Sequence, residues 1–160
     1  MAMRAQSAAF QLRPAVEQDY EAMIDVLRTA NMHRIPSPEM PALDWRHCCV
    51  AVIEGRVVGM SGYRVLSDDT AKTTLMAVLP EYRGLHIGHA LQTWRMRRLR
   101  ELGIRALVTN ADRPETIAWY KKHFGYREVG RLPKEHEFGR ADVDEWTTLQ
   151  VDLQEWEASP

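Results

Sequence analysis

The chain has 160 residues, 45% hydrophobic and 27% charged, with 21 Lys and Arg against 22 Asp and Glu. That size and composition describe one globular domain with a sizeable core. A formal charge of −1 argues against a general nucleic-acid binder, which needs a surplus of phosphate-neutralising cations. No apolar run is long enough to cross a bilayer, so no membrane span is expected.

Residues 1–9 hold one Arg and scattered alanines without a continuous apolar block, and read as a disordered leader, not a secretory signal. A single domain over 10–153 and a tail over 154–160 are expected. The only cysteines are Cys48 and Cys49. Neighbours in a strand point to opposite faces, so a disulfide between them would be strained. Two reduced thiols fit a cytoplasmic protein.

The first element is a short strand at Phe10–Arg13, closed by Pro14. Tyr20, Met23, Ile24 and Leu27 then fall on one helical stripe. Pro36, Pro38 and Pro41 break the stretch from Met32 to Leu43, which is read as a loop or, at most, a short helix. Two strands, His47–Ile53 and Val57–Val65, flank Glu54-Gly55-Arg56, a hairpin turn. A polar turn at Ser67–Thr70 leads to a third strand, Lys72–Leu79, stopped by Pro80. These three read as an antiparallel meander.

Ile87, Ala90, Leu91 and Trp94 mark a second helix that runs to about Leu102, with Gly103 after it. Arg105–Thr109 is a short buried strand. A third helix is predicted from near Asp112 to Phe124, with Asp112 and Glu115 at capping-box spacing and Pro114 in its first turn. Strands near Tyr126–Leu132 and Trp146–Leu153 close the chain. The order β-α-β-β-β-α-β-α-β-β is that of an α+β, or mixed α/β, layer structure.

The segment from Leu75 to Leu91 is a strand, a glycine-containing turn and the start of a helix. A helix start carries backbone N–H groups without partners and the positive end of the dipole. Gly84 and Gly88 lack side chains that would keep an anion away, so the turn suits a diphosphate, with Arg83 adding charge. Such a turn can also exist for packing alone. No Gly-Lys-Ser/Thr ends it as in a mononucleotide P-loop, and the antiparallel strands upstream are not the βαβ unit of a dinucleotide fold.

Arg83-Gly84-Leu85-His86-Ile87-Gly88, after Val78-Leu79-Pro80, resembles the coenzyme A pyrophosphate loop of the GNAT N-acetyltransferase superfamily. Ile87-Gly88-His89-Ala90-Leu91 is similar to the phrase that opens the family's following helix. Ile117-Ala118-Trp119-Tyr120-Lys121-Lys122-His123-Phe124-Gly125-Tyr126 looks like a second family phrase, one residue longer at the helix end. Two positions depart from the pattern. His86 stands where the family usually has its central glycine. Arg113 stands where members often have an Asn seven residues before the Tyr, while Asn110 lies three residues earlier, where it could substitute for that Asn or only satisfy backbone groups in the turn.

The resemblance covers nearly all of Phe10–Leu153. It implies a splayed central sheet, mostly antiparallel, with helices on both faces. It implies acetyl-CoA as co-substrate, held by Met76, Ala77, Val78, Arg83, Gly84, Leu85, His86, Ile87, Gly88, His89, Asn110 and Arg113. The backbone of Met76–Val78 would bond the pantetheine amides, and a bulge there would free an amide to polarise the thioester carbonyl.

The resemblance also implies catalysis by Tyr120, whose phenol would protonate the departing thiolate; on residue type alone, a helical Tyr is as readily core. An amine of a small molecule, peptide or protein would attack directly, so Cys48 and Cys49 would be dispensable and no metal is expected. Glu135, His136 and Glu137 could shape the acceptor site or form a solvated turn. Arg64 would suit an acceptor carboxylate. Arg95, Arg97, Arg98 and Arg100 read as a solvated basic face, one of them able to reach the coenzyme's phosphate. A homodimer is compatible with the sequence. A non-catalytic acyl-CoA sensor and a structural domain are the competing readings.

Overall fold

The computed structural model describes residues 10–30, 43–135, 140 and 142–157. The leader, most of the Pro-rich loop and most of the Glu135–Glu137 cluster lie outside the described residues. The elements follow the expected order: β1 (Gln11–Pro14), α1 (Tyr20–Thr29), β2 (Cys48–Ile53), β3 (Arg56–Val65), β4 (Thr70–Val78), α2 (Ile87–Glu101), β5 (Ala106–Ala111), α3 (Pro114–Phe124), β6 (Arg127–Pro133) and β7 (Glu145–Asp152). The strands run in the order β1-β2-β3-β4-β5-β7-β6 in one mostly antiparallel sheet, a mixed α+β fold.

The described residues group into two compact units, 10–30 with 43–63 and 75–95, and 64–74 with 96–135, 140 and 142–157. In the first unit β1 pairs antiparallel with β2, from Gln11↔Val52 to Pro14↔Cys49. Strand β2 pairs with β3, from Cys48↔Gly62 to Ile53↔Arg56. The hairpin between them places Glu54 at φ 48° and Gly55 at φ 78°. Two successive left-handed residues make the turn whose twist matches its strands, so Glu54 shares the strained conformation expected of Gly55 alone.

On α1, Met23, Ile24, Val26 and Leu27 are buried, while Tyr20, predicted on that stripe, is 38% exposed. It lies at the helix's first residue, where the apolar face runs out. Just before it, the Asp19 carboxylate accepts from both Nη atoms of Arg13, at 2.7 and 3.0 Å, and from the Val16 N–H at 2.8 Å. The Arg13 guanidinium holds the Asp19 carboxyl below the usual carboxylate range. A lowered folded-state value means that this contribution is present above the unfolded value and lost as pH falls through the folded one. Asp19→Asn should therefore cost about 1 kcal/mol at pH 7. In urea titrations the gap should close as pH drops below about 4.

In the second unit the start of β4 pairs parallel with β5, over Thr70↔Ala106, Ala71↔Leu107 and Lys72↔Val108. Strand β7 lies antiparallel between β5 and β6. The expected capping box at Asp112 does not form. Helix α3 begins at Pro114, with Arg113 as its N-cap and no side-chain capping bond. The Asp112 carboxylate instead takes Lys134 Nζ at 2.9 Å and the Arg140 N–H. Both partners of that ion pair are over nine-tenths buried, and Lys134 Nζ lies 4.5 Å from the Trp146 ring centroid. A buried cation makes a stronger claim on the carboxylate than a helix N–H would. The helix ends at Gly125, at φ 72°, whose N–H bonds the Tyr120 carbonyl. Trp156 is buried, with its carbonyl 2.9 Å from Arg100 Nη1 and the guanidinium over its ring.

Among the described residues, no helix is long and apolar enough to cross a membrane.

Candidate functional site

The Leu79 N–H donates to the Val58 carbonyl at 2.8 Å, which fixes how the end of β4 faces β3. Successive residues of a strand present their backbone groups to opposite sides. The N–H and C=O of Met76 and Val78 therefore point away from β3, while Ala77 turns its backbone toward it. The Ala77 carbonyl accordingly lies 3.3 Å from where a Cβ on Gly59 would stand. Of the three residues expected to offer backbone bonds, Met76 and Val78 have the outward orientation.

After β4 the chain makes one short 3-10 turn at Pro80–Tyr82, and the Arg83 N–H closes on the Pro80 carbonyl at 3.2 Å. Gly84 takes φ 86° and His86 φ 64° before α2 begins. The Ala90 N–H to His86 carbonyl bond, 3.1 Å, is the first of the helix. The N–H groups of Ile87 and Gly88 precede it and have no intrahelical acceptor. A Cβ on Gly84 or Gly88 would meet no heavy atom within 4 Å, so both glycines border open space. No acidic residue occupies the first turn of α2. Bare donors, open approach and an uncompensated dipole together make an anion-binding geometry. Ile87 is buried, so it joins such a site only through its backbone; Arg83 and His86 are exposed, and Leu85 and His89 half-buried.

The conformation of His86 accounts for the glycine that the resemblance expects there. A non-glycine residue in the left-handed region costs about 1–2 kcal/mol, partly offset by the roughly 0.5–1 kcal/mol of chain entropy that a glycine adds to the unfolded state. His86→Gly should therefore raise stability by about 0.5–1 kcal/mol, read as a small upward shift in Tm. The coenzyme analogue affinity should stay the same or improve.

Arg95 departs from its expected place on a solvated face. It is 1% exposed and lies on the buried stripe of α2 with Leu91, Gln92, Met96 and Leu99. Ala90 and Trp94, assigned to that stripe from sequence, are only half-buried. Arg95 Nη1 donates to the carbonyls of Gly62 on β3 (2.9 Å) and Leu75 on β4 (3.2 Å). Its Nε donates to Gln92 Oε1 at 3.0 Å, and Nη2 bonds the same oxygen. The signal was present in the spacing, since Arg95 stands four residues from both Leu91 and Leu99.

In the second unit, Tyr120 is buried on α3, with its ring 4.9 Å from Tyr126 and 5.1 Å from Trp119. Asn110 on β5 accepts from Thr148 Oγ1 at 2.7 Å, across the β5–β7 ladder. This leaves its amide NH2 as the donor it could offer a ligand. Arg113 is exposed at the start of α3, and Arg64 is exposed on β3. A recess of about 540 Å³ in this unit is lined by His123, Gly125, Arg127, Asp152 and Trp156 among others, and by none of the predicted site residues.

Cys48 and Cys49 are free and buried. Burial pushes both thiols up to about 12. They remain protonated at neutral pH and are poor nucleophiles.

A family model described as acetyltransferase (GNAT) family matches residues 20–126, about two thirds of the chain. No curated protein matches the sequence. Solved structures share the fold. Ard1 from Thermoplasma volcanium is 20% identical with a TM-score of 0.72, over 90% of this chain and 97% of its own. The ribosomal-protein-S18-alanine N-acetyltransferase from Escherichia coli is 15% identical with a TM-score of 0.73, over 90% and 94%. The yncA protein of Salmonella typhimurium, solved with its cofactor acetyl-CoA, is 19% identical with a TM-score of 0.71, over 95% and 98%.

Proposed function

The chain belongs to the GNAT acetyltransferase family, and from that premise we propose that it moves an acetyl group from acetyl-CoA to a primary amine. The observation that carries the proposal is the anion-binding geometry at the start of α2. There, Ile87 and Gly88 offer N–H groups beside two glycines that border open space. The coenzyme diphosphate fits that chemistry, with Arg83 as an exposed cation nearby in sequence. The outward backbone of Val78 and the outward carbonyl of Met76 suit the pantetheine amides, which bond an extended strand as another strand would. Asn110 and Arg113 are assigned to the coenzyme by resemblance.

In this reading the neutral amine attacks the thioester carbon and forms a C–N bond while the carbonyl π pair moves to oxygen. That pair then returns, the C–S bond breaks, and the thiolate leaves with its electrons. The Tyr120 phenol gives it a proton, the amine's extra proton passes to solvent or a base, and the Tyr120 phenolate takes a proton back from solvent. The role of Tyr120 rests on its motif. The acceptor is an amine of a small molecule, a peptide or a protein. The neighbours include a ribosomal-protein acetyltransferase, which favours testing peptide N-termini first.

Calorimetry with acetyl-CoA, followed by thiol release against a panel of amines and peptides, tests the proposal. Saturable binding at one site with amine-dependent thiol release supports it. Absence of binding removes it, and binding without release across the panel would favour an acyl-CoA sensor.

A further inference from the structure

The guanidinium of Arg95 occupies a place that its surroundings do not explain as simple packing. It is 1% exposed, and one nitrogen, Nη1, spans the carbonyls of Gly62 and Leu75 on neighbouring strands. A charged donor buried this deeply acts at low dielectric, where its field on a bonded carbonyl is strong. The Leu75 carbonyl and the Met76 N–H belong to one peptide. In a trans peptide they point in opposite directions. The Leu75 oxygen is drawn toward Arg95, and the Met76 N–H therefore emerges on the side away from β3, the side the Leu79–Val58 bond leaves outward.

Hydrogen bonding at a peptide oxygen withdraws electron density from its nitrogen and makes the N–H a better donor. Arg95 thus acts on Met76 in two ways. It fixes the tilt of the Leu75–Met76 peptide by tethering it to β3 and α2, and it raises the positive charge on the Met76 hydrogen. Gln92 holds the guanidinium in line, because its Oε1 takes bonds from Nε and Nη2. Gln92 is itself fully buried. A neutral amide there orients the cation without cancelling its charge, which a carboxylate would do.

We infer that Arg95 is a positioning residue for acetyl transfer, holding and polarising the Leu75–Met76 peptide from behind so that the Met76 N–H can stabilise the thioester oxygen. The inference rests on the proposed use of acetyl-CoA and deepens it by naming the amide that receives the developing charge. The rate effect is carried through Met76, with no contact between Arg95 and substrate.

The test uses the intact protein and acetyl-CoA labelled with 13C at the thioester carbon. In the wild type, the bound carbonyl resonance should lie downfield of free acetyl-CoA. Arg95→Met should return it toward the free position. Arg95→Lys, which keeps the charge but reaches one carbonyl, should retain part of the displacement. Gln92→Glu sets a carboxylate against the Nε and Nη2 edge of Arg95 and weakens its pull on the Leu75 carbonyl, so it too should move the resonance back, and it decides the matter if Arg95→Met fails to fold. In folded Arg95→Met and Gln92→Glu, kcat should fall roughly tenfold, a fraction of the loss from deleting an oxyanion donor, and in Arg95→Lys by less. The Kd for coenzyme A without an acetyl group should stay within about twofold. If Gln92→Glu and Arg95→Lys lower the melting temperature but leave the carbonyl resonance and kcat as in the wild type, Arg95 only braces the fold and the inference is overturned. A wild-type resonance at the free position, with coenzyme still bound, also overturns it and leaves the proposed function standing. No binding of acetyl-CoA by the wild type removes both.

Discussion

Replacing Tyr120 by phenylalanine should lower kcat roughly a hundredfold, the lower part of the range for loss of a general acid. The variant should bind acetyl-CoA as the wild type does. The phenyl ring keeps the edge contact with Trp119 and the tilted contact with Tyr126, whose centroids lie 5.1 and 4.9 Å away. The backbone carbonyl of Tyr120 still closes the C-terminus of α3 on Gly125. What disappears is one O–H on a residue 5% exposed. Any change in stability is read separately as a shift in Tm, and stopped-time assays of thiol release on the folded variant should show the loss in the catalytic step. An unchanged kcat, with amine-dependent turnover in the wild type, would return Tyr120 to the role of a core aromatic.

Much of this molecule could be read from residue order because its elements are locally determined. The hairpin at Glu54-Gly55 and the stop of α3 at Gly125 follow from where left-handed backbone is tolerated. The stripe of Met23, Ile24 and Leu27 follows from helical spacing. The misreadings came where a distant partner intervened. Asp112 has the right neighbour for a capping box, yet Lys134, buried beside Trp146, takes its carboxylate. Strand order is likewise set by distant pairing: nothing in the residues of β6 and β7 announces that β7 lies between β5 and β6.

Arg95 shows the same limit at the candidate site. Four arginines on one helix suggest a wet surface, and the exposure of Arg97, Arg98 and Arg100 fits that expectation. The burial of the fourth depends on the carbonyls of Gly62 and Leu75, which local sequence does not place beside it. The glycine turn was legible because its chemistry is local. Gly84 and Gly88 mark open space, and the helix start behind them supplies donors whatever the rest of the fold does.

Gly88→Glu should separate binding from folding by moving them in opposite directions. Gly88 is the second residue of α2, in a turn that carries no acidic side chain. A Cβ there would meet nothing within 4 Å, so the change introduces no clash. Glutamate favours the helix over glycine by roughly 0.5–1 kcal/mol, and a carboxylate near the positive end of the dipole adds about 0.3–1 kcal/mol at low salt. The melting temperature should therefore rise. The same carboxylate stands where the coenzyme diphosphate is proposed to lie, with like charge and in the approach that glycine keeps clear. Coenzyme affinity should fall at least about a hundredfold, corresponding to roughly 3 kcal/mol. Gly88→Ala separates charge from bulk: its helix gain is similar, and its loss of affinity should be much smaller. A Gly88→Glu protein that melts higher and still binds acetyl-CoA at wild-type affinity would place the diphosphate elsewhere. A protein that melts higher and no longer binds would leave the donors of Ile87 and Gly88 as the reason the coenzyme is held.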